Sequence, residues 1–362
     1  PFPYPAPMDR EAGIEAYQAM ITAEAYQAKS ASGAYDHLHL YQSDQESPVI
    51  QMIVDGVTDC PGGVKKYRLV AANDVDLPVW SAGAHLDIVV APEFLRQYSM
   101  CGDPADRSCY EIAVLIELEG RGGSKLMHRI FEQGRRVFVS KPINHFGLDG
   151  QASLSLLFGG GIGVTPMIAF AHELDRSRRD FKLMYSASTL ASAAFDGIFE
   201  VQPWAAKTSK HYSDQGSRLD IAAAVPPYAP GVHIYVCGPD SYMSAILDHA
   251  RVIGYPDAAL HAEFFTAPDM PDWVNLPFEI ERSNGQRLAV SAEQSASDAL
   301  IAAGIPVDVK CSDGLCGVCK CTLISGEVEH RDFVLSAAQR ETTIILCQSR
   351  SLQENGVLKL DI

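Results

Sequence analysis

The chain has 362 residues, 47% of them hydrophobic and 20% charged, a composition of folded globular material long enough for two or three domains. A formal charge of -16 argues against the broad basic surface that a nucleic-acid binder needs, and no apolar run is long enough to cross a bilayer. Nine cysteines, an odd number, with no basic and apolar leader segment, point to a reducing cytoplasm rather than a disulfide scaffold.

Residues 1–48 open on PFPYPAP and then carry Ile14, Tyr17, Ile21, Ala25 and Ala28 at spacings of three and four, which predicts a helix with one mildly apolar face. That face packs on its own protein or serves as a docking arm for another subunit. Short strand-like runs follow at 50–54, 66–72, 85–90, 97–100, 111–118 and 136–139, a density that predicts a small antiparallel barrel over 49–150. Over 151–266 the apolar runs LSLLF, KLMYS and HIYVC alternate with helix-like segments, as in a parallel sheet with crossover helices. Within it SLLFGGGIGVTPMIAFAHEL reads as strand, glycine turn and helix, with Thr165 as N-cap and Pro166 at the first helical position. Such a helix start attracts phosphate, and Gly159, Gly160, Gly161 and Gly163 would let a pyrophosphate lie close to the backbone. The turn departs from the G-x-G-x-x-G fingerprint, and no acidic residue ends the next strand, where Ser186, Ala187 and Ser188 stand. A standard dehydrogenase is therefore not expected.

Residues 267–277, APDMPDWVNLP, hold three prolines and read as a linker. Beyond it, in 278–362, two β-rich runs flank Asn284-Gly285, a strong hairpin signal. Next comes CSDGLCGVCKC. Cys311-x₄-Cys316-x₂-Cys319 with a distant Cys347 is the plant-type spacing for a [2Fe-2S] cluster, and Gly314 and Gly317 suit a loop folded around one. Structural zinc is the competing reading, although zinc ligands usually come as two CxxC-like pairs and Cys347 stands alone. Cys321 lies two residues past Cys319, where an extended chain would turn it to the other face.

Taken together, GGGIGVTP, the later YVCGPDSYM, RQYS at residues 96–99, GRGGS at 120–124 and EHRDFVL at 329–335 resemble the phthalate dioxygenase reductase family of the ferredoxin reductase superfamily. The resemblance covers roughly residues 49–362. It implies a β-barrel flavin domain, an α/β nicotinamide domain and a C-terminal β-grasp ferredoxin domain of α+β class; the partly helical N-terminal extension departs from the family pattern. The cofactors it implies are FMN in preference to FAD, a [2Fe-2S] cluster, and a nicotinamide nucleotide.

By that resemblance Arg96 holds the flavin phosphate, Tyr98 and Ser99 lie against the ring, Gln97 belongs with them to the cofactor-binding residues, and Gly122, Gly123 and Ser124 complete the phosphate site. An arginine fork, an aromatic surface and a hydroxyl suit those tasks physically. Thr165 and Cys237 would flank the nicotinamide above Gly238 and Pro239, and Phe265 would cover the flavin. Ser188 stands where many relatives carry arginine, and without arginines to meet a 2′-phosphate NADH is expected over NADPH. The implied activity is a reductase component passing electrons from NADH through flavin and cluster to a terminal oxygenase; the extra residues 1–48, without counterpart in the family, suggest a stable hetero-complex with it. A free-standing reductase of a small acceptor and a redox-sensing, partner-binding subunit are the alternatives.

Overall fold

The computed structural model describes residues 49–362 except 73–74, 92–93, 119–121, 267–272, 310 and 336. The expected N-terminal helix, the start of GRGGS and the first half of the linker lie outside the described residues. The chain divides into two compact units between Asn144 and His145. This falls ahead of the expected boundary at 150. Phe146 packs on Phe170, the Asp149 N–H donates to the Tyr235 hydroxyl at 2.8 Å, and the intervening segment thereby joins the second unit.

The first unit is one antiparallel sheet of β1 (Val49–Cys60), β2 (Val64–Ala71), β3 (Ala84–Ala91), β4 (Phe94–Ser99), β5 (Cys109–Leu115), β6 (Arg136–Ser140) and β7 (Ile143–Asn144). Its strand order is β4-β3-β6-β1-β2-β5, with β7 on β3. Alternation decides which side chains go inside: Val64, Tyr67, Leu69 and Ala71 of β2 are buried and their neighbours half-buried. A bridge from Met100 to Ile112 joins the end of β4 to β5 and so brings the two sheet edges together. Among the described residues of this unit, the α-helix α1 (Gly123–Ile130) buries Leu126, Met127 and Ile130 after Gly122 at φ +95°.

In the second unit β8 (Leu154–Gly160), β9 (Asp180–Ala187), β10 (Thr208–Tyr212), β11 (Val232–Cys237) and β12 (Leu260–Glu263) form a parallel sheet, ordered β10-β9-β8-β11-β12. The helices α2 (Thr165–Arg176) and α3 (Asp240–Val252) follow β8 and β11. Chain order reverses between those two strands, and open parallel sheets bind ligands in the crevice at such a point.

The C-terminal part of this unit carries β13 (Phe278–Arg282), β14 (Arg287–Val290), β15 (Lys320–Ser325), β16 (Val328–Glu329), β17 (Thr343–Ile345), β18 (Arg350–Ser351) and β19 (Val357–Leu360). A mixed sheet runs β14-β13-β19-β15-β17, and β16 pairs with β18. Between β13 and β14 the turn uses Gly285 at φ +82°, with the Gln286 N–H donating to Asn284 Oδ1 at 2.9 Å. The helix α4 (Ala296–Ala302) starts on a capping box of Ser295 and Asp298, and its Leu300 joins Ile280, Ile344 and Leu358 in the core.

Candidate functional site

The cysteines converge first. Cys311, Cys316 and Cys319 ride on the loop before β15, while Cys347 arrives just after β17, beside Cys319, where the Leu346 N–H donates to the Cys319 carbonyl at 3.1 Å. Cys316, Cys319 and Cys347 are buried and Cys311 is half-buried. The sulfurs share hydrogen bonds: donation from the Cys316 and Cys347 thiols pulls Cys311 far below the usual thiol range, and donation from Cys347 lowers Cys319. Among the described residues no three such side chains close around a single ion. The thiols are instead linked in series, Cys316 to Cys311, Cys311 to Cys347 and Cys347 to Cys319, so that all four are neighbours.

Backbone geometry fits the same group. Gly314 and Gly317 sit at φ +74° and +68°, and Ser312 at φ +59° takes a conformation that side-chain-bearing residues rarely hold. Amide groups turn inward, with the Asp313 N–H 3.4 Å from Cys311 Sγ. Cys321 is elsewhere. It pairs with Ile344 along β15, its thiol faces the Asp361 carbonyl at 3.9 Å, and burial pushes it up to about 11.

At the reversal point of the parallel sheet, Gly159 lies opposite Cys237, so the glycine turn and the CGPD loop are neighbours. The glycines serve the protein's own packing. A Cβ on Gly163 would lie 2.5 Å from the Cys237 carbonyl, one on Gly159 would lie 2.7 Å from Val164 Cα, and one on Gly160 would lie 2.9 Å from the Tyr242 ring. Gly238 presses on Gly160, with Pro239 beside it. Only Gly161 of the four turn glycines, at φ +54°, faces open space. The helix begins one residue earlier than expected, with Val164 at the cap, Thr165 first and Pro166 second. Thr165 has a hydroxyl that donates to the Ile162 carbonyl at 3.0 Å instead of capping. Both Thr165 and Cys237 are buried, and burial, with the nearby Glu263 carboxylate, raises the Cys237 thiol and keeps it neutral.

In the first unit Arg96 and α1 meet. A Cβ on Gly123 would lie 2.6 Å from Arg96 Nε and 3.2 Å from Cζ, so the guanidinium lies on the helix start where free amides collect. An arginine fork over a helix N-terminus has the chemistry to hold a phosphate, in a space that an added methyl would fill. Ser124 Oγ accepts the Glu117 N–H at 3.0 Å and closes the turn. Tyr98 is half-buried, and burial raises its phenol, so it presents a neutral aromatic surface. Ser99 is buried opposite His85 on β3, and the Gln97 amide is taken by His85 Nε2 at 2.9 Å.

Sequence reading left three contributors unassigned. The Asp214 N–H donates to the Ser188 carbonyl at 3.1 Å, which brings an acidic residue from beyond β10 beside the end of β9. At the cluster loop the Phe333 N–H donates to the Gly314 carbonyl at 3.1 Å, and Gln348 Nε2 to the Ser312 carbonyl at 2.6 Å. EHRDFVL was the available signal for Phe333; for Asp214 nothing local was. Phe264 packs on Phe333 with ring centres 5.0 Å apart, whereas Phe265 is 42% exposed.

A glycine turn beside a CGPD loop, an arginine at a helix start and four neighbouring thiols in one chain fit a nicotinamide-dependent flavin and iron-sulfur oxidoreductase. The 2Fe-2S iron-sulfur cluster binding domain family matches residues 278–352. A vanillate O-demethylase oxidoreductase of Pseudomonas sp. (strain HR199 / DSM 7063) is 37% identical over 318 residues, covering 87% of this chain and all of the relative. The solved phthalate dioxygenase reductase aligns at TM-score 0.62 and 31% identity over 87% of this chain and 98% of its own. An intact type IV self-sufficient cytochrome P450 monooxygenase aligns at TM-score 0.79 and 30% identity over 89% of this chain and 43% of its own. The chain belongs to the phthalate dioxygenase reductase family, and it is an electron-transfer oxidoreductase of the reductase-component type.

Proposed function

We propose that this reductase component takes electrons from NADH, holds them on FMN, and releases them singly through Cys311, Cys316, Cys319 and Cys347 to a separate terminal oxygenase. Bound flavin would supply the step from paired to single electrons, which nicotinamide and an iron-sulfur cluster do not share. The mutual hydrogen bonding of the four thiols, drawn from the cysteine loop and from beyond β17, carries the reading. The first-unit sheet with its closing bridge is a flavin barrel, residues 151–266 the nicotinamide domain and 278–362 a β-grasp ferredoxin domain. Arg96 and the Gly122–Gly123–Ser124 turn would hold the flavin phosphate, with Tyr98 and Ser99 along its ring. FMN rather than FAD fits a cradle made for a terminal phosphate.

In the crevice, Thr165, Cys237, Gly238 and Pro239 would form the floor for the nicotinamide, and the start of α2 would offer its positive dipole end to the pyrophosphate. Asp214 beside Ser188 disfavours a 2′-phosphate, which supports NADH over NADPH. The relatives' names place their reductases with oxygenases or demethylases, including a haem-dependent oxidative N-demethylase, and support an oxygenase as electron acceptor here. Residues 1–48 are proposed to hold the two together, so deleting 1–45 is expected to weaken association and coupled turnover. No helix among the described residues is long and apolar enough to cross a membrane, and a cytoplasmic location is proposed from the cysteine chemistry.

Anaerobic titration with NADH tests the whole reading. Flavin and [2Fe-2S] absorption are expected to bleach together, with a paramagnetic signal from the reduced cluster. Zinc in place of inorganic sulfide would end the proposal.

A further inference from the structure

Two arginines in the C-terminal part of the second unit are almost fully buried, Arg331 at 5% and Arg350 at 4% exposure. A buried guanidinium is tolerated only when its donors are satisfied. Both spend donors on the same short stretch, residues 273–276. Arg331 Nη1 donates to Asn275 Oδ1 at 2.6 Å and Nη2 to the Val274 carbonyl at 3.1 Å, with the guanidinium 4.7 Å from the centre of the Trp273 ring. Glu329 neutralises it, accepting from Nε at 2.7 Å. Arg350 donates from Nη2 to the Leu276 carbonyl at 2.9 Å and from Nη1 to the Gln294 carbonyl at 2.9 Å. The second half of the expected linker is therefore tied to the ferredoxin-like sheet.

The backbone that presents Arg331 also supports the cluster loop. Its N–H donates to Ser349 Oγ at 3.3 Å, the Phe333 N–H donates to the Gly314 carbonyl at 3.1 Å, and a Cβ on Gly314 would lie 3.2 Å from the Arg331 carbonyl. Two residues on, the Phe333 ring rests 5.0 Å from Phe264, just past the end of β12. One segment, 331–333, thus touches the linker, the cysteine loop and the nicotinamide sheet.

We propose that Arg331 is a positioning residue for electron transfer into the cluster. It latches 273–276 onto 331–333, so that the cysteine loop stays docked on the nicotinamide sheet through turnover instead of swinging on the linker. This rests on the electron route proposed above. Each reduction of the cluster moves one electron from the flavin and none through Arg331, whose part is geometric.

The test uses the cofactor-loaded protein and variants on the linker side, Asn275→Ala and Trp273→Ala, which leave no buried cation stripped of Glu329. Hydrogen exchange across 273–277 is read by mass spectrometry, and flavin and cluster reduction by stopped flow after NADH. Loss of a hydrogen bond to a charged group is expected to speed exchange there about tenfold or more. Cluster reduction should gain a slow phase, flavin reduction and the paramagnetic signal of the reduced cluster should stay as they were, and Asn275→Asp should restore single-phase behaviour. Unchanged exchange, or single-phase cluster reduction at the original rate in both alanine variants, would overturn the latch. Failure of the electron route shows separately, as missing bleaching or signal in the unaltered protein.

Discussion

Substituting Gly123 by alanine separates flavin binding from folding, because the two respond to the added methyl in opposite ways. Gly123 opens α1 at an ordinary helical φ, so the backbone accepts alanine, and the better helix former adds up to about 1 kcal/mol of helix stability. The new Cβ, however, would lie 2.6 Å from Arg96 Nε and 3.2 Å from Cγ and Cζ. Ordinary contact starts near 3.4–4 Å, so the guanidinium must retreat by about 1 Å, which a flexible arginine does cheaply. A retreat of that size breaks a two-pronged phosphate contact. Hydrogen bonds to a charged group contribute roughly 1.5–3 kcal/mol, so FMN affinity should fall about 10- to 100-fold. Titrating flavin-free protein with FMN by fluorescence, alongside a thermal melt of the same sample, reads both quantities. An FMN affinity within about threefold of the parent, at ~0.7 kcal/mol or less, would refute the cradle.

Three further outcomes follow from the same geometry. Cys319→Ser should abolish the paramagnetic signal of the reduced cluster and leave NADH-driven flavin reduction, whereas Cys321→Ser, whose thiol lies against Asp361, should keep both. Gly163→Ala sets a methyl 2.5 Å from a backbone carbonyl that cannot give way, and should destabilise the second unit by about 3 kcal/mol in urea melts, against about 1–2 for Gly161→Ala in open space at positive φ. Burial, and then the charge of His233, pushes His261 down to about 4, below its unfolded value of 6.5. The unfolded chain therefore takes up that proton first, and stability is lost as pH falls from about 6.5 to 4. At about 1.4 kcal/mol per pH unit, reduced by solvent screening, the loss comes to roughly 1–3 kcal/mol. His261→Asn should flatten the slope of stability against pH over that window; an unaltered slope would show that His261 does not set it.

Chemistry that depends on a few adjacent residues was legible in the chain before any coordinates. The spacing of Cys311, Cys316 and Cys319 and the Asn284-Gly285 turn are local matters, because ligand spacing and allowed φ are set within one or two turns of backbone. Sheet alternation was legible for the same reason, as in β2, although the strand expected over 111–118 ends at Leu115. Long-range meetings were not. That Arg96 lies against Gly123, that Gly163 is glycine for the sake of Cys237, that Asp214 stands beside Ser188, and that Arg331 and Arg350 bind 273–276 all follow from strand order and register. A sequence states which groups are present and how their neighbours bend; which distant groups come within 3 Å is decided only when sheets close and helices pack, since contact energies reward proximity in space and not along the chain.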